Sequence, residues 1–493
     1  MRHHIVHLTG DPVPFRRHRQ IGPLPRQGLT VDSSASLPHD LRLLPALRRR
    51  FLETRPKRSD RSTPAVRDQS AAEPIRHPRA TAPTPPGPDR AGGGRPDWAL
   101  CQDGAVNRIR IVCAPDSFKE SMSALEAANA MAAGVRRVLP EADCVVVPMA
   151  DGGEGTVQAL VDALGGRLIE APCHDALGRP TTAGYAWVEG QNLAVIEMAA
   201  ASGLAQIDPA ERDVRRATSV GVGELIGHAL DLGARRFIVG LGGSATNDAG
   251  AGLAQALGVR LLDRQGEDLP PGGAALARLD RVDLSGLDPR LAQCHFDIAC
   301  DVDNPLLGPR GASAIFGPQK GADPATVAEL DAALTVWADR VEAELGRPVR
   351  DIPGAGAAGG LGAAFAALTA STMRRGIDIV VEAVGLADLV VGADWVLTGE
   401  GSVDSQTLHG KVPWGVARTA AQAGVPAIIF GGRVAPGSEA LLTDTTVALV
   451  PILKSAQDLP QALVEGPHNL ADAAETTMRL LLAGASWSAR HAI

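Results

Sequence analysis

One pattern constrains the fold of this chain more than any other: short apolar strands end in loops rich in glycine and carboxylates, and a helix follows each loop. IRIVCA at 109–114 is the first such strand, and Ser123 with Glu126 forms a capping box that starts the next helix. CVVVPM at 144–149 is the second strand, and DGGEGT at 151–156 leads into another helix. This alternation predicts parallel β-sheets covered by helices.

The same pattern returns later in the chain. RFIVG at 236–240 precedes a glycine-rich turn and a helix. Strands are predicted at 394–398 and 427–430, with a helix at 411–423 between them. The residues between, from about 171 to 370, have longer and less regular connections, which indicates a second α/β domain.

Residues 1–105 differ from the rest in charge and composition. They carry a net charge of +8 and 15 of the 36 prolines, whereas the remaining residues carry −16. Without hydrophobic periodicity, this segment is predicted to be a disordered extension outside the core fold. A nucleic-acid-binding arm and a targeting peptide fit less well, because the arginines follow no helix face and Asp11, Asp32 and Asp40 interrupt the segment. We favour an over-long translation start, with the true start near Val106.

Composition excludes several classes of protein. Aromatic residues make up only 3%, which argues against stacking platforms for single-stranded nucleic acid. No apolar run approaches the roughly 18 residues of a membrane-spanning helix. The six cysteines are scattered without a CxxC pair, so we expect neither a disulfide framework nor a zinc site, and we predict a reducing, cytoplasmic location. The P-loop, the GxSxG elbow and the HExxH motif are absent from the sequence.

Two early loops carry candidate phosphate ligands. In APDSFKES at 114–121, Lys119 stands near a helix start, where an ammonium group and backbone N–H groups suit a phosphate. The alternative is that Asp116 and Ser117 merely cap the helix. In DGGEGT at 151–156, three glycines let the backbone approach a ligand closely, or they form a tight turn.

The loop GLGGSATNDAG at 240–250 allows two interpretations. Its start fits G-x-G-x-x-A after a strand, and Asp263 follows 23 residues later, as in a dinucleotide fingerprint. Its polar residues, which a dehydrogenase does not need there, instead suit a phosphate or a polyhydroxy acid.

Two acidic segments suggest a divalent metal. Asp301 and Asp303 alternate, so in an extended chain both would face one side, and paired carboxylates suit Mg²⁺. An Asx turn before Pro305 is the alternative. GEGSVDSQTLHGK at 399–411 is the densest cluster of acids, amides, one histidine and one lysine in the chain, and it lies between a predicted strand and a helix.

These segments together resemble a known family. The motifs, in chain order, are APDSFKES at 114–121, DGGEGT at 151–156, GGSATNDAG at 242–250, CDVDNP at 300–305, FGPQKG at 316–321 and TGEGSVDSQT at 398–407. Over residues 108–485 the chain resembles the class I glycerate kinases, the bacterial glycerate 2-kinase family.

The resemblance implies an activity and an architecture. The activity is ATP-dependent phosphorylation of D-glycerate to 2-phosphoglycerate, in glyoxylate and glucarate catabolism, with ATP and Mg²⁺ as cofactors. The architecture is a flavodoxin-like or Rossmann-like α/β domain from 108–170 and 371–493, with a second α/β domain, 171–370, inserted in it. The site is expected in the cleft between them. Small molecules are the expected partners, without nucleic acid or membrane, and a homo-oligomer is left open.

Motifs and resemblance together nominate residues for phosphoryl transfer, which needs charge neutralisation and positioning. Asp248 or Asp116 is expected to accept the hydroxyl proton, with Lys119 beside the phosphate. The candidate substrate and phosphate ligands are Ser117, Gly152, Gly153, Glu154, Gly242, Gly243, Ser244, Thr246, Asn247, Lys320, Gln406, His409 and Lys411. The candidate Mg²⁺ ligands are Asp301, Asp303, Glu400 and Asp404.

Three alternative functions stay open at this point. A kinase of the same kind could form 3-phosphoglycerate instead. An NAD-dependent hydroxy-acid dehydrogenase would use the fingerprint at 240–245, and a non-catalytic ligand sensor would use the arginine-rich arm.

Overall fold

The structure is a computed structural model that describes residues 108–491. The predicted disordered extension, 1–105, lies outside the described residues. The strands of the described part are β1 (Arg110–Cys113), β2 (Asp143–Val146), β3 (Arg167–His174), β4 (Pro180–Val188), β5 (Leu193–Glu197), β6 (Arg236–Gly240), β7 (Arg260–Leu262), β8 (Arg281–Asp283), β9 (His295–Ala299), β10 (Ser371–Arg374), β11 (Trp395–Val403), β12 (Ala427–Val434) and β13 (Thr446–Pro451).

Helices follow most of these strands. They are α1 (Ala124–Val138), α2 (Thr156–Leu164), α3 (Ala199–Ser202), α4 (Val220–Asp231), α5 (Ala251–Ala256), α6 (Ala312–Phe316), α7 (Pro324–Leu345), α8 (Ala357–Leu368), α9 (Gly376–Ala383), α10 (Leu386–Val390), α11 (Val412–Gln422), α12 (Leu459–Val464) and α13 (Gly466–His491). The predicted capping box of α1 is confirmed, with Ser123 and Glu126 bonded reciprocally. No helix in this part of the chain is both long and apolar enough to cross a bilayer.

The first large sheet has five strands in the order β13-β12-β11-β1-β2, and all neighbours are parallel. Counted within this sheet alone, the order is 2-1-3-4-5, which is flavodoxin-like. The predicted flavodoxin-like sheet is therefore confirmed. Its topological switch point, where such folds bind ligands, lies between β1 and β11.

The second large sheet has six strands in the order β10-β9-β6-β5-β4-β3. Its strands from β5 to β10 pair in parallel, and β3 and β4 add an antiparallel edge. All of its strands lie between Arg167 and Arg374, so they interrupt the chain that forms the first sheet. A separate antiparallel hairpin, β7–β8, packs with α7 in a third apolar cluster that includes Trp337.

An apolar cluster joins the two large sheets. It contains Val112 and Val396 of the first sheet, Val195 and Ile238 of the second, and Leu160 of α2. The other face of the first sheet packs against α1 and α13, and the other face of the second packs against α4 and α8. Both sheets are thus buried on both faces, which explains why their central strands are apolar along most of their length.

The backbone of the glycine-rich segment 354–360, which leads into α8, packs directly against the backbone of the 244–250 segment. Gly359 has φ +69°, and a Cβ there would lie 2.0 Å from the carbonyl oxygen of Thr246. The Gly359 carbonyl also accepts the N–H of Ala249 at 3.0 Å. These glycines therefore let the 354–360 and 244–250 segments meet in the interior.

The substitution Gly359→Ala tests this packing. We expect it to lower the free energy of unfolding by about 1–3 kcal/mol more than Gly346→Ala, because the added methyl must displace backbone. Gly346 is the matched control, since its φ is +66° and a Cβ there would meet nothing within 4 Å. Chemical denaturation of both variants measures the difference, and equal losses would mean that positive φ alone accounts for the cost.

Candidate active site

Glycines bring a loop of the first sheet across the ends of the second. After β2 the chain passes the carboxyl ends of β6 and β9, and a Cβ on Gly240 would lie 2.4 Å from the Gly152 carbonyl oxygen. A Cβ on Gly152 itself, which has φ +89°, would lie 2.6 Å from the Cβ of Ala299. The close approach therefore requires glycine at these positions, and it places Asp151 at the end of β9.

Four acidic residues meet where the two sheets end, and we call Asp116, Asp151, Asp301 and Glu400 the carboxylate cluster. Asp116 follows β1, and its N–H donates to the carbonyl of Gly399 at 2.9 Å, across the switch point. Sequence reasoning placed Asp116, Asp301 and Glu400 among its candidates but missed Asp151, although that residue opens the DGGEGT motif.

Asp151 and Asp301 border the same backbone atoms at the start of α9. A Cβ on Gly376 would lie 1.8 Å from the carbonyl oxygen of Asp151. The Gly376 N–H also donates to Oδ1 of Asp301 at 3.2 Å. Gly376 therefore keeps Asp151, which follows a strand of the first sheet, close to Asp301, which follows a strand of the second.

The electrostatics of the carboxylate cluster favour a proton or a cation. Burial, and then the negative charge of Asp151, raises the pKa of Asp116 to about 8, while Lys119 opposes the shift. Partial burial of its carboxyl group, and then Asp151, raises the pKa of Asp301 to about 6. Burial also raises the pKa of Glu400. The charged forms are thus destabilised until a positive group arrives.

Within the described residues, Glu400 is the one acid of the cluster that already has an ion pair with a lysine. Thr407 Oγ1 donates to its Oε1 at 2.6 Å, and Lys411 Nζ donates to its Oε2 at 3.2 Å. The predicted loop around Glu400 is wrong: β11 continues through it, because β12 extends alongside and pairs Glu400 with Gly431. Lys411 is thereby held beside the carboxylate cluster.

Several other predicted residues lie in turns around the cluster. Ser117 donates its N–H to Oδ1 of Asp116 at 2.7 Å. Asp404 accepts the N–H of Gln406 at 2.8 Å, as in a turn. Lys119, Glu154, Gln406 and His409 are exposed to solvent here, and so is Asp301 within the cluster.

The N-terminus of α2 already has an acidic partner. Glu197, at the end of β5, accepts the N–H of Val157 at 2.9 Å. Nothing in the sequence motifs pointed to Glu197, because the contact spans 40 residues. The amide groups that would make this helix start attractive to a phosphate are therefore in part engaged.

Asp248 lies in the interior and has no exposed surface. Its Oδ2 accepts from the N–H of Ser219 at 2.9 Å, from the Ser219 hydroxyl at 2.8 Å and from the Gly252 N–H at 3.2 Å. Its Oδ1 accepts from the Gly250 N–H at 3.1 Å. Burial raises its pKa. This carboxylate joins the starts of α4 and α5 by four hydrogen bonds.

Lys320 is buried in the same loop system. Its Nζ donates to Ser244 Oγ at 2.7 Å and to the Thr246 carbonyl at 2.6 Å. Burial lowers its pKa to about 7, against the opposing charge of Asp248. Asn247 is equally enclosed and donates to Ser313 Oγ at 2.9 Å. These side chains fix the shape of the 244–250 loop.

Two glycines of the longer glycine-rich loop at 240–250, Gly242 and Gly243, are exposed. A Cβ on Gly242 would lie 3.7 Å from the Cα of Gly153, so the two loops are neighbours. Within the described part of the chain, the N–H groups of Gly242 and Gly243 have no hydrogen-bond partner. The loop therefore presents two backbone donors close to Asp151.

The predicted metal set is not assembled as one group. Asp303 is exposed and pairs with Arg310 at 3.1 Å, and no strand forms at 301–303 to align it with Asp301. Among residues 108–491 no three or more His, Cys, Asp or Glu side chains are arranged to hold a metal ion. Mg²⁺ commonly binds one or two carboxylates together with substrate phosphates, and the cluster offers such carboxylates.

The dinucleotide interpretation does not fit the structure. The fingerprint requires its acidic residue at the end of the next parallel strand. Asp263 instead follows β7, which pairs antiparallel with β8 in a separate sheet.

Fold and site define an α/β enzyme in which acidic and glycine-rich loops of two sheets converge. A family model described as "Glycerate kinase family" matches residues 111–482. The chain belongs to the glycerate kinase family.

Individual relatives agree over most of their length. A glycerate kinase of Bacillus subtilis is 51% identical over 72% of this chain and 93% of its own. A glycerate kinase of Haemophilus influenzae is 48% identical, and the glycerate 2-kinase of Escherichia coli 44% identical, each over 76% of this chain and 99% of its own. A crystal structure described as a glycerate kinase 2 from Salmonella typhimurium LT2 aligns with TM-score 0.72 and 47% identity, covering 77% of this chain and 100% of that one.

Proposed function

We propose that this enzyme transfers the terminal phosphate of ATP to the 2-hydroxyl of D-glycerate, with Mg²⁺. The observation that carries the proposal is the carboxylate cluster at the flavodoxin-like switch point, where acids from both sheets meet next to exposed backbone donors. The relatives named glycerate kinase, one of them a glycerate 2-kinase, support the substrate and the position.

Asp116 is the base in this proposal, and Asp248 is not. A base must contact the substrate hydroxyl. Asp116 lies at the switch point with a pKa raised to about 8, so its carboxylate is a stronger base than an ordinary aspartate and becomes available as the pH rises towards that value. Asp248 is enclosed and its oxygens already accept four hydrogen bonds.

Asp151 and Asp301 are the proposed Mg²⁺ ligands. When bound, the ion would supply charge neutralisation for the nucleotide phosphates. Glu400 pairs with Lys411, and Lys119 is near enough to Asp116 to oppose the rise in its pKa, so we assign both ammonium groups to phosphate oxygens.

The same proposal includes the organisation of the protein and its setting. We propose that the five-stranded sheet with its helices and the inserted six-stranded sheet are two domains whose cleft contains the site. The five free cysteines of the described residues support a cytoplasmic location, and glycerate phosphorylation supports a role in organic-acid catabolism.

One coupled assay tests the activity. The full chain is incubated with ATP, Mg²⁺ and D-glycerate, and enolase reports 2-phosphoglycerate, with and without phosphoglycerate mutase. We expect a signal without mutase. A signal that requires mutase would mean that the 3-hydroxyl is phosphorylated, and no signal under either condition would overturn the proposal.

A further inference from the structure

Within the part of the chain that the structure describes, Arg212 has a guanidinium group without a partner. Its Nε is buried and bonded to no acceptor. Its remaining nitrogens make no ion pair or hydrogen bond within residues 108–491. A buried donor left unpaired costs free energy, so its retention requires a reason.

The surroundings of Arg212 belong to the loop system of the site. The segment before Arg212 is bonded to the glycine-rich loop at 240–250, since the N–H of Leu204 donates to the Gly243 carbonyl at 2.8 Å. On its other side, a Cβ on Gly321 would lie 3.7 Å from the Cβ of Arg212. Gly321 directly follows Lys320, whose Nζ holds the same glycine-rich loop. Arg212 therefore lies near the part of the 240–250 loop that contains the exposed Gly242 and Gly243.

The two sides of the 240–250 loop differ in charge. The carboxylate cluster repels anions from the Asp151 side of the glycine-rich loop, whereas Arg212 and the free N–H groups of Gly242 and Gly243 attract them. An acid with a hydroxyl next to its carboxylate would accordingly turn its hydroxyl towards Asp151 and Asp116. Its carboxylate would face away from the cluster.

We propose that Arg212 binds the carboxylate of the acid substrate. The guanidinium offers a planar pair of donors that matches a carboxylate and strengthens each hydrogen bond by its charge. This assignment rests on the proposed function, because it takes a hydroxy acid as the phosphate acceptor. It gives the site its selectivity for acids over neutral polyols.

The substitution Arg212→Met, made in the full chain, tests the assignment. We expect KM for D-glycerate to rise about 10²-fold while KM for ATP changes less than about twofold, because one charge-assisted contact to the acid is lost. Arg212→Lys is expected to recover part of the loss, since it keeps the charge without the planar fork. Arg216→Met is the matched control, because Arg216 is an exposed arginine of the same segment.

The other outcomes overturn the assignment. A rise in KM for ATP instead of D-glycerate would move Arg212 to a nucleotide phosphate. Unchanged KM values would exclude contact with either substrate. A melting temperature well below that of Arg216→Met would indicate a structural role, since loss of an unpaired donor should not destabilise the fold.

Calorimetric titration with D-glycerate in the absence of ATP separates this inference from the proposed function. If the wild-type chain binds D-glycerate without phosphorylating it and Arg212→Met does not bind, Arg212 keeps its assignment and the kinase proposal fails. If the wild-type chain neither binds D-glycerate nor phosphorylates it in the coupled assay, both fail.

Discussion

Replacing Asp116 with asparagine is expected to lower kcat about 10²–10⁴-fold, which is the usual contribution of a positioned general base. Asparagine keeps the size of the side chain and can still accept the Ser117 N–H that now bonds to Oδ1 at 2.7 Å. It cannot take up a proton from the substrate. Steady-state kinetics with ATP, Mg²⁺ and D-glycerate measure the loss.

Asp303→Asn is the control for this prediction. Asp303 is an exposed acid whose ion pair with Arg310 lies at the surface, so kcat should change less than about twofold. If Asp116→Asn retained more than about a tenth of wild-type kcat, Asp116 would not be the base.

The raised pKa of Asp116 adds a pH dependence to the same prediction. Only the carboxylate accepts a proton, so kcat/KM of the wild-type enzyme should rise with pH towards and through about 8. Asp116→Asn should lack this rise. A pH profile that stays parallel in the two proteins would contradict the role.

Stability should respond to pH in the opposite sense. Between the unfolded pKa of 3.8 and the folded value of about 8, the folded protein holds a proton on Asp116 that the unfolded chain has released. Stability therefore falls as pH rises through this window, and Asp116→Asn removes the loss. The variant should gain in melting temperature relative to the wild type at pH 8 compared with pH 5. An active-site residue that reduces stability is a common cost of function.

The sequence predicted the parts of this fold that depend on local patterns. β6 has the predicted bounds, and the α1 capping box forms as expected. These succeed because strand burial and helix capping are decided within a few residues. The end of β11 was missed because it depends on pairing with β12. In that pairing Glu400 of β11 lies beside Gly431 of β12, which is distant from it in sequence.

The same distinction applies to the site. Acids in loops after strands could be found from sequence, because parallel sheets collect such loops at one edge. Sequence could not show that Asp151 belongs with Asp301, since the contact depends on glycines of separate segments meeting at Gly376. It also could not separate Asp248 from Asp116. Both are acids in glycine-rich loops, and only burial and hydrogen-bond partners distinguish them.

Replacing Asp248 with alanine is expected to lower the free energy of unfolding by about 3–5 kcal/mol, the range found when one partner of a buried charged network is removed. The substitution leaves the N–H groups of Ser219, Gly250 and Gly252 and the Ser219 hydroxyl without their acceptor. It also leaves the buried Lys320 without the negative charge that opposes its loss of a proton. Denaturant unfolding measures the change.

Asp248→Asn separates this structural role from a catalytic one. Asparagine keeps one acceptor but turns an N–H₂ group towards donors, so stability should again fall. Assayed at a temperature where the variant is folded, kcat should stay within about tenfold of wild type, because a base supplies at least about 10²-fold. A full loss of kcat in a variant as stable as wild type would instead make Asp248 the proton acceptor, and Asp116 would then be one more cation-binding acid at the switch point.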